Sequence, residues 1–264
     1  MQWGLFALLM LLPWAATYGG SLAGAHWRLD SARRQGGLLG FAAGVMIAAS
    51  IWSLILPAFD EVGSGLRGAA VVTAGFVLGC AGMLLLDRLV PHQHADEATP
   101  EGHASHLARP MLLVLAVALH NIPEGLALGV VIAAAMEQSS MTWTGAVMFG
   151  LGLALQNFPE GRAVVLPLRR TGADRKKCRR LGLLASLAEP GAALLGLLFT
   201  SLLASLGGVI MPLLLSVAAG AMIFIVVEEL IPESQAAHDE HGHAATYGFL
   251  LGFWIMALMG VLGG

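Results

Sequence analysis

His120 and Glu124 stand four residues apart, and so do Gln156 and Glu160. On a helix that spacing puts both members of a pair on one face, where they can grip the same cation. The pairs belong to two hexapeptides, His120-Asn121-Ile122-Pro123-Glu124-Gly125 and Gln156-Asn157-Phe158-Pro159-Glu160-Gly161, 36 residues apart and each in the middle of a long apolar stretch. Asn121 and Asn157 follow about 100° around the helix and can offer amide oxygens to a neighbouring position, so two adjacent metal positions become feasible. A charged residue in hydrocarbon costs roughly 2.5 to 3.5 kcal/mol on insertion scales and usually marks a substrate or ion path. Pro123 and Pro159 deprive the carbonyls of Leu119 and Leu155 of their helical donors, which predicts a bend in each helix. Such breaks persist at membrane depth where they line a cavity or pack on protein. Gly125 and Gly161 leave room beside the carboxylates.

The elements that must hold these groups are apolar. Hydrophobic residues make up 57% of the 264-residue chain and charged residues 12%, with mean hydropathy +0.76. A soluble domain carries about 25% charged residues, so this is a membrane protein. Runs of about 20 apolar residues give eight expected spans, 2-25, 36-58, 67-90, 110-135, 142-167, 181-204, 208-231 and 245-263, in one polytopic domain over residues 1–264. Of the fourteen Lys and Arg, twelve fall in alternate connections: Arg28, Arg33 and Arg34; Arg88 and Arg109; and Arg169, Arg170, Arg175, Lys176, Lys177, Arg179 and Arg180. The positive-inside rule makes these connections cytoplasmic and puts both termini outside. Asp60, Glu61 and Glu137 then give a mildly acidic outer face that concentrates cations.

The first span has a rival reading as a signal peptide ending near Ala23-Gly24-Ala25. Its lack of a basic start and its long apolar run favour a retained helix. Cys80 and Cys178 give no disulfide framework. Glycine pairs four apart, Gly40 and Gly44, Gly75 and Gly79, Gly248 and Gly252, read as close-packing helix faces that also permit a homodimer.

With this topology the two hexapeptides run on antiparallel helices and meet near the midplane, the arrangement of an inverted-repeat transporter. Glu189, followed by Pro190 and Gly191 in the sixth span, joins the cluster. A lone His or Glu in a span is as often a structural hydrogen-bonding group; duplication, matched faces and common depth argue against that here. Three carboxylates, an imidazole and amide oxygens suit a divalent cation of intermediate softness better than an alkali ion or an anion.

Two connections are rich in histidine. Residues 91–109 carry His92, His94, His103 and His106, and residues 232–244 carry His238, His241 and His243. Such tracts bind divalent metals or are simply solvated loops.

The HNxPEG and QNxPEG motifs on the fourth and fifth of eight spans, with the Glu-Pro-Gly of the sixth, resemble the ZIP family of divalent metal transporters, and its GufA-like branch most. The resemblance covers essentially the whole chain. It implies an all-α membrane fold of eight transmembrane helices with inverted-repeat organisation, a carrier of zinc or a related metal into the cytoplasm, a binuclear site between the fourth and fifth helices, and elevator-like motion. By motif, one metal would lie among His120, Glu124, Gln156 and Glu160, with Met46 as a further ligand. The other would lie among Asn121, Glu124, Asn157, Glu160 and Glu189. Met46 and Ser53, two helical turns apart, would face the outer approach, although Met46 also suits ordinary core packing. Glu228, Glu229, His238, His241 and His243 would form an exit relay; two acids at a helix end reaching the interface is the plainer reading. Arg162 departs from the family pattern, and a fixed cation two residues after Glu160 is expected to be paired and to face away from the metal.

The resulting expectation is alternating access, the cation exchanging with protons on Glu124 and Glu160. No prosthetic group and no nucleic acid partner are expected, and the setting is a bacterial inner (plasma) membrane. Zn, Cd, Fe, Mn, Co and Ni share these ligand types. The rival functions are an intramembrane metal-dependent hydrolase and a divalent cation channel of similar build. The chain has no HExxH and no separate three-ligand set, which disfavours the hydrolase.

Overall fold

The computed structural model describes residues 2–26, 32–63, 65–93, 99–137, 141–170, 172–203, 205, 207–236 and 242–263. Eight long helical units account for nearly all of them. α1 is Gln2–His26. α2 runs from Ala32–Ala49 through a π-helical segment, Ser50–Ile55, into Leu56–Val62. α3 is Leu66–Leu89, α4 Arg109–Glu137 and α5 Trp143–Arg170. α6 joins Arg175–Ser186 to Ala188–Leu203. α7 joins Ile210–Ile225 through a second π segment, Val226–Leu230, to Ile231–Ala236, and α8 is Ala244–Gly263. The described residues contain no β-strand, only an isolated bridge between His92 and Glu101.

Seven of the eight units are long and apolar enough to cross a membrane. The exception is α5, and the reason is its cargo of polar groups: Gln156, Asn157, Glu160 and Arg162, with Arg169 and Arg170 at its end. Those side chains are buried within the protein except at the C-terminal turn, so their cost is carried by neighbouring helices rather than by lipid. α4 and α5 continue as helices through Pro123 and Pro159.

The helices pair as α1 with α5, α4 with α6, α2 with α8 and α3 with α7. Exchanging α1 with α6, α4 with α5, α2 with α7 and α3 with α8 leaves this list unchanged, and it also exchanges the helices bearing the two π segments. That is the pattern of an inverted repeat. The seams repeat as well. A Cβ on Gly125 of α4 would collide with the carbonyl oxygen of Glu189 on α6, and one on Gly161 of α5 with that of Thr17 on α1. Both motif glycines therefore let a partner backbone come into contact with their helix.

The glycine pairs seen in the sequence have partners within the chain. Gly40 and Gly44 lie on Ala245 and Phe249, Gly248 and Gly252 on Gly37 and Phe41, and Gly75 and Gly79 on Leu213 and Val217. These faces close α2 on α8 and α3 on α7, and they are not left over for a second copy. α6 also begins six residues before the expected span: Asp174 caps it by accepting from the Lys177 N–H at 2.6 Å, and its first turns are basic.

Candidate metal centre

α4 and α5 cross with their polar faces together. Gln156 donates through Nε2 to Oε1 of Glu124. Asn157 donates through Nδ2 to both oxygens of Glu189, at 2.8 Å each, and lies 3.4 Å from the carbonyl oxygen of Pro13 on α1. Thr17 Oγ1 is 3.5 Å from Glu189 Oε2 and 3.2 Å from the Pro13 carbonyl. Thus the amides of one motif hold carboxylates of two other helices. The Glu124, Glu160 and Glu189 carboxylates lie close enough for their charges to interact.

Asn121, Glu124, Gln156 and Asn157 are fully buried, and His120, Glu160 and Glu189 nearly so. Six acceptor oxygens in this cluster have no donor among the described residues: Oδ1 of Asn121, Oε2 of Glu124, Oε1 of Gln156, Oδ1 of Asn157 and both oxygens of Glu160. A buried polar group without a partner costs about 1 to 3 kcal/mol, more when charged. Oxygens gathered in this way, with an imidazole nearby, are what a desolvated divalent cation needs in place of its hydration shell.

Not every expected ligand sits in the same network. His120 donates through Nδ1 to the Ala116 carbonyl, 2.9 Å away, while its Nε2 lies 3.1 Å from Oε2 of Glu229. Glu229 is buried in the π segment of α7, whereas Glu228 is exposed; the two adjacent acids therefore do different things. Asn121 Nδ2 donates to the Ala185 carbonyl of α6 at 3.2 Å. Met46 is fully buried on α2, which packs along α5. Ser53 is buried in the π segment of α2 and borders a cavity of about 310 Å³ with Trp52, Asp60 and Thr142. At the opposite end of α4 and α5 a smaller cavity of about 40 Å³ meets His120, Gln93, Pro167 and Glu233. Of the expected ligands, His120 borders the smaller cavity and none borders the larger.

His243 is exposed and meets the Tyr247 ring edge-on at 6.0 Å; His238 and His241 lie outside the described residues, as does His94. His103 and His106 are exposed. His92, by contrast, is fully buried: its Nε2 lies 3.2 Å from Asp87 and 3.8 Å from Glu101, and its Nδ1 lies 2.8 Å from the Val90 carbonyl. These three side chains could hold a metal ion together. Arg162 is buried and engaged, lodged between Gly24 of α1 and Gln35 and Leu39 of α2.

Thr17, Pro13 and Asp87 were not legible as site residues in the sequence; His92 was read as part of a metal-binding tract, but its grouping with Asp87 and Glu101 into a separate three-ligand set was not expected. A lone threonine four residues after a proline in α1 is a weak signal. The histidine group needs the chain to fold back, which it does through paired backbone bonds between His92 and Glu101.

Fold and site together define a class: a helical, multi-pass membrane protein whose two inverted halves converge on a buried, oxygen-rich polar cluster. The ZIP Zinc transporter family model matches residues 88–260. Zinc transporter ZIPB of Bordetella bronchiseptica is 40% identical over 249 residues, covering 93% of this chain and 77% of that protein. Zinc transporter GufA of Myxococcus xanthus is 37% identical over 87% of each chain, and human Zinc transporter ZIP11 is 32% identical over 93% of this chain and 94% of its own length. The chain belongs to the ZIP zinc transporter family.

Proposed function

We propose that this chain carries zinc or a related divalent transition-metal ion across the membrane, into the cytoplasm, by alternating access. The observation that carries this reading is the set of six buried acceptor oxygens without donors among the described residues, drawn from both motifs. The similarity to relatives named as zinc transporters supports metal transport rather than hydrolysis.

The cation reaches the cluster past Asp60 and Ser53 and sheds water against Glu124, Gln156 and Glu160, with Met46 and His120 available as softer ligands. A second position uses Asn121, Asn157 and Glu189, bridged by Glu124 and Glu160. In the present state the Gln156 and Asn157 amides occupy carboxylate oxygens. Turning those amides so that their carbonyl oxygens face the cation exchanges a donor for an acceptor without moving a helix. Release runs past His120 and Glu229 toward Glu233 and the Asp87–His92–Glu101 group. α1, α4, α5 and α6 form the moving bundle, and α2, α3, α7 and α8 the frame against which it slides. Both termini lie outside the cytoplasm, in a bacterial inner membrane.

Uptake of a panel of Zn, Cd, Fe, Mn, Co and Ni into right-side-out and inside-out proteoliposomes tests this. Slow, saturable uptake of zinc or a close relative is expected. Unitary currents would instead identify a channel, and absence of flux for every metal would remove the reading.

A further inference from the structure

The connection between α5 and α6 holds the densest charge on the molecule. Arg170, Arg175, Lys176, Lys177, Arg179 and Arg180 are all exposed, and no ion pair joins any of them to a carboxylate among the described residues. Asp174, the acid among them, already caps α6 through the Lys177 N–H. Topology accounts for the sign of this charge but not its density; the other described cationic connections offer Arg33 and Arg34, or Arg88.

The placement of the helix tells what such a cluster faces. Cys178, Gly182 and Ala185 are buried, with Gly182 closed on Ser21 of α1. The outward side passes from Arg180 to Leu184, about one helical turn or 6 Å along the axis, and then to Leu187, Leu194 and Leu198; these four leucines are about half exposed. On a membrane-spanning helix such leucines face hydrocarbon, so the cations one turn away sit at the depth of the lipid phosphates. Long cationic side chains favour that boundary, and clusters of four to eight Lys or Arg beside a span are the pattern that recruits anionic lipid.

The patch is also rigidly tied to the metal cluster. Arg169 lies 3.4 Å from the Gly24 carbonyl of α1, α1 packs on both α5 and the first half of α6, and α5 and α6 supply Glu160 and Glu189. We propose that Arg170 and residues 172–180 are a docking site for the headgroups of anionic phospholipids, a basic collar that keeps this end of the α1–α4–α5–α6 bundle in the headgroup region of one leaflet. The binding part stands on charge and position alone; the consequence, transport that depends on anionic lipid, rests on the function proposed above. Guanidinium and ammonium groups take up phosphate oxygens and displace the counterions otherwise needed to neutralise six crowded cations.

The test is made on the full chain reconstituted in nanodiscs of equal parts phosphatidylcholine and phosphatidylglycerol, then extracted gently and examined for retained lipid by native mass spectrometry. The wild type is expected to retain phosphatidylglycerol over phosphatidylcholine and to lose it severalfold as salt is raised. R175Q/K176Q/K177Q/R179Q/R180Q is expected to lose the preference, while R33Q/R34Q keeps it. The salt series needs no variant and stands even where the quintuple variant does not fold. Equal retention of both lipids by the wild type, retention indifferent to salt, a folded quintuple variant that keeps the preference, or stronger binding of soluble polyglutamate than of phosphatidylglycerol would each overturn the proposal. Because the readout is bound lipid, it is independent of whether metal moves.

Discussion

His120 and Gln156 hold matching places in the two motifs but complete their hydrogen bonding differently. Gln156 turns inward to Glu124, whereas the His120 imidazole reaches away to Glu229 on α7. The first motif therefore reaches α7 through its imidazole, while the matching residue of the second motif bonds within the cluster. Glu124 and Glu160 should be indispensable: Glu124→Ala and Glu160→Ala are each expected to lower metal uptake at least tenfold, about 1.4 kcal/mol, with the protein still folded by circular dichroism. Glu229→Gln should leave folding intact and slow release, seen as a larger drop in maximal rate than in apparent affinity. Thr17→Val removes a weak bond to Glu189 and should cost about 1 kcal/mol or less in stability. Much of the cluster was legible, because a carboxylate four residues from an imidazole or amide announces a shared face. Thr17 was not, since a solitary hydroxyl in an apolar helix commonly bonds its own backbone, as Thr17 also does to Pro13.

Helices in this protein are positioned by what their glycines allow. Gly125 and Gly161 touch the backbones of α6 and α1, and a larger side chain at either place meets a carbonyl oxygen rather than a movable group. Gly125→Leu and Gly161→Leu are expected to lower thermal stability by about 1 to 3 kcal/mol or more and to abolish uptake with it. Gly82→Ala, with nothing within 4 Å of the new Cβ, should do neither. Seven of the eight units carry apolar runs long enough to mark them in the sequence, and α5 is the exception because of its polar groups. The start of α6 could not be read from apolar runs, because its first turns are basic and only the Asp174 cap betrays a helix there. Nor could the π segments in α2 and α7, which have no composition of their own. The first carries two buried serines, Ser50 and Ser53, and the second a buried acid, Glu229, which meets His120, in keeping with the frequency of such segments at functional sites.

Across the molecule, the pairing α1–α5, α4–α6 and α2–α8, α3–α7 separates two groups of four helices, and the ligand cluster belongs to the first. His120 to Glu229 is a contact from one group to the other, so in the mechanism proposed above release of the cation and movement of the groups would involve the same residues. If protons replace the metal at Glu124 and Glu160 on the return step, uptake into proteoliposomes should respond to an imposed pH gradient; indifference to the gradient would remove proton exchange while leaving metal carriage in place. The antiparallel duplication was visible in the sequence as two hexapeptides, but the exchange of α1 with α6 and of α2 with α7 needed the packing to reveal it. The central claim is that these hexapeptides are two halves of a single metal site. Anomalous diffraction from crystals of the full chain soaked in cadmium tests it most directly: the strongest density should lie between Glu124 and Glu160, within coordinating reach of both, and a map whose metal peaks lie only elsewhere, with that position blank, would contradict it.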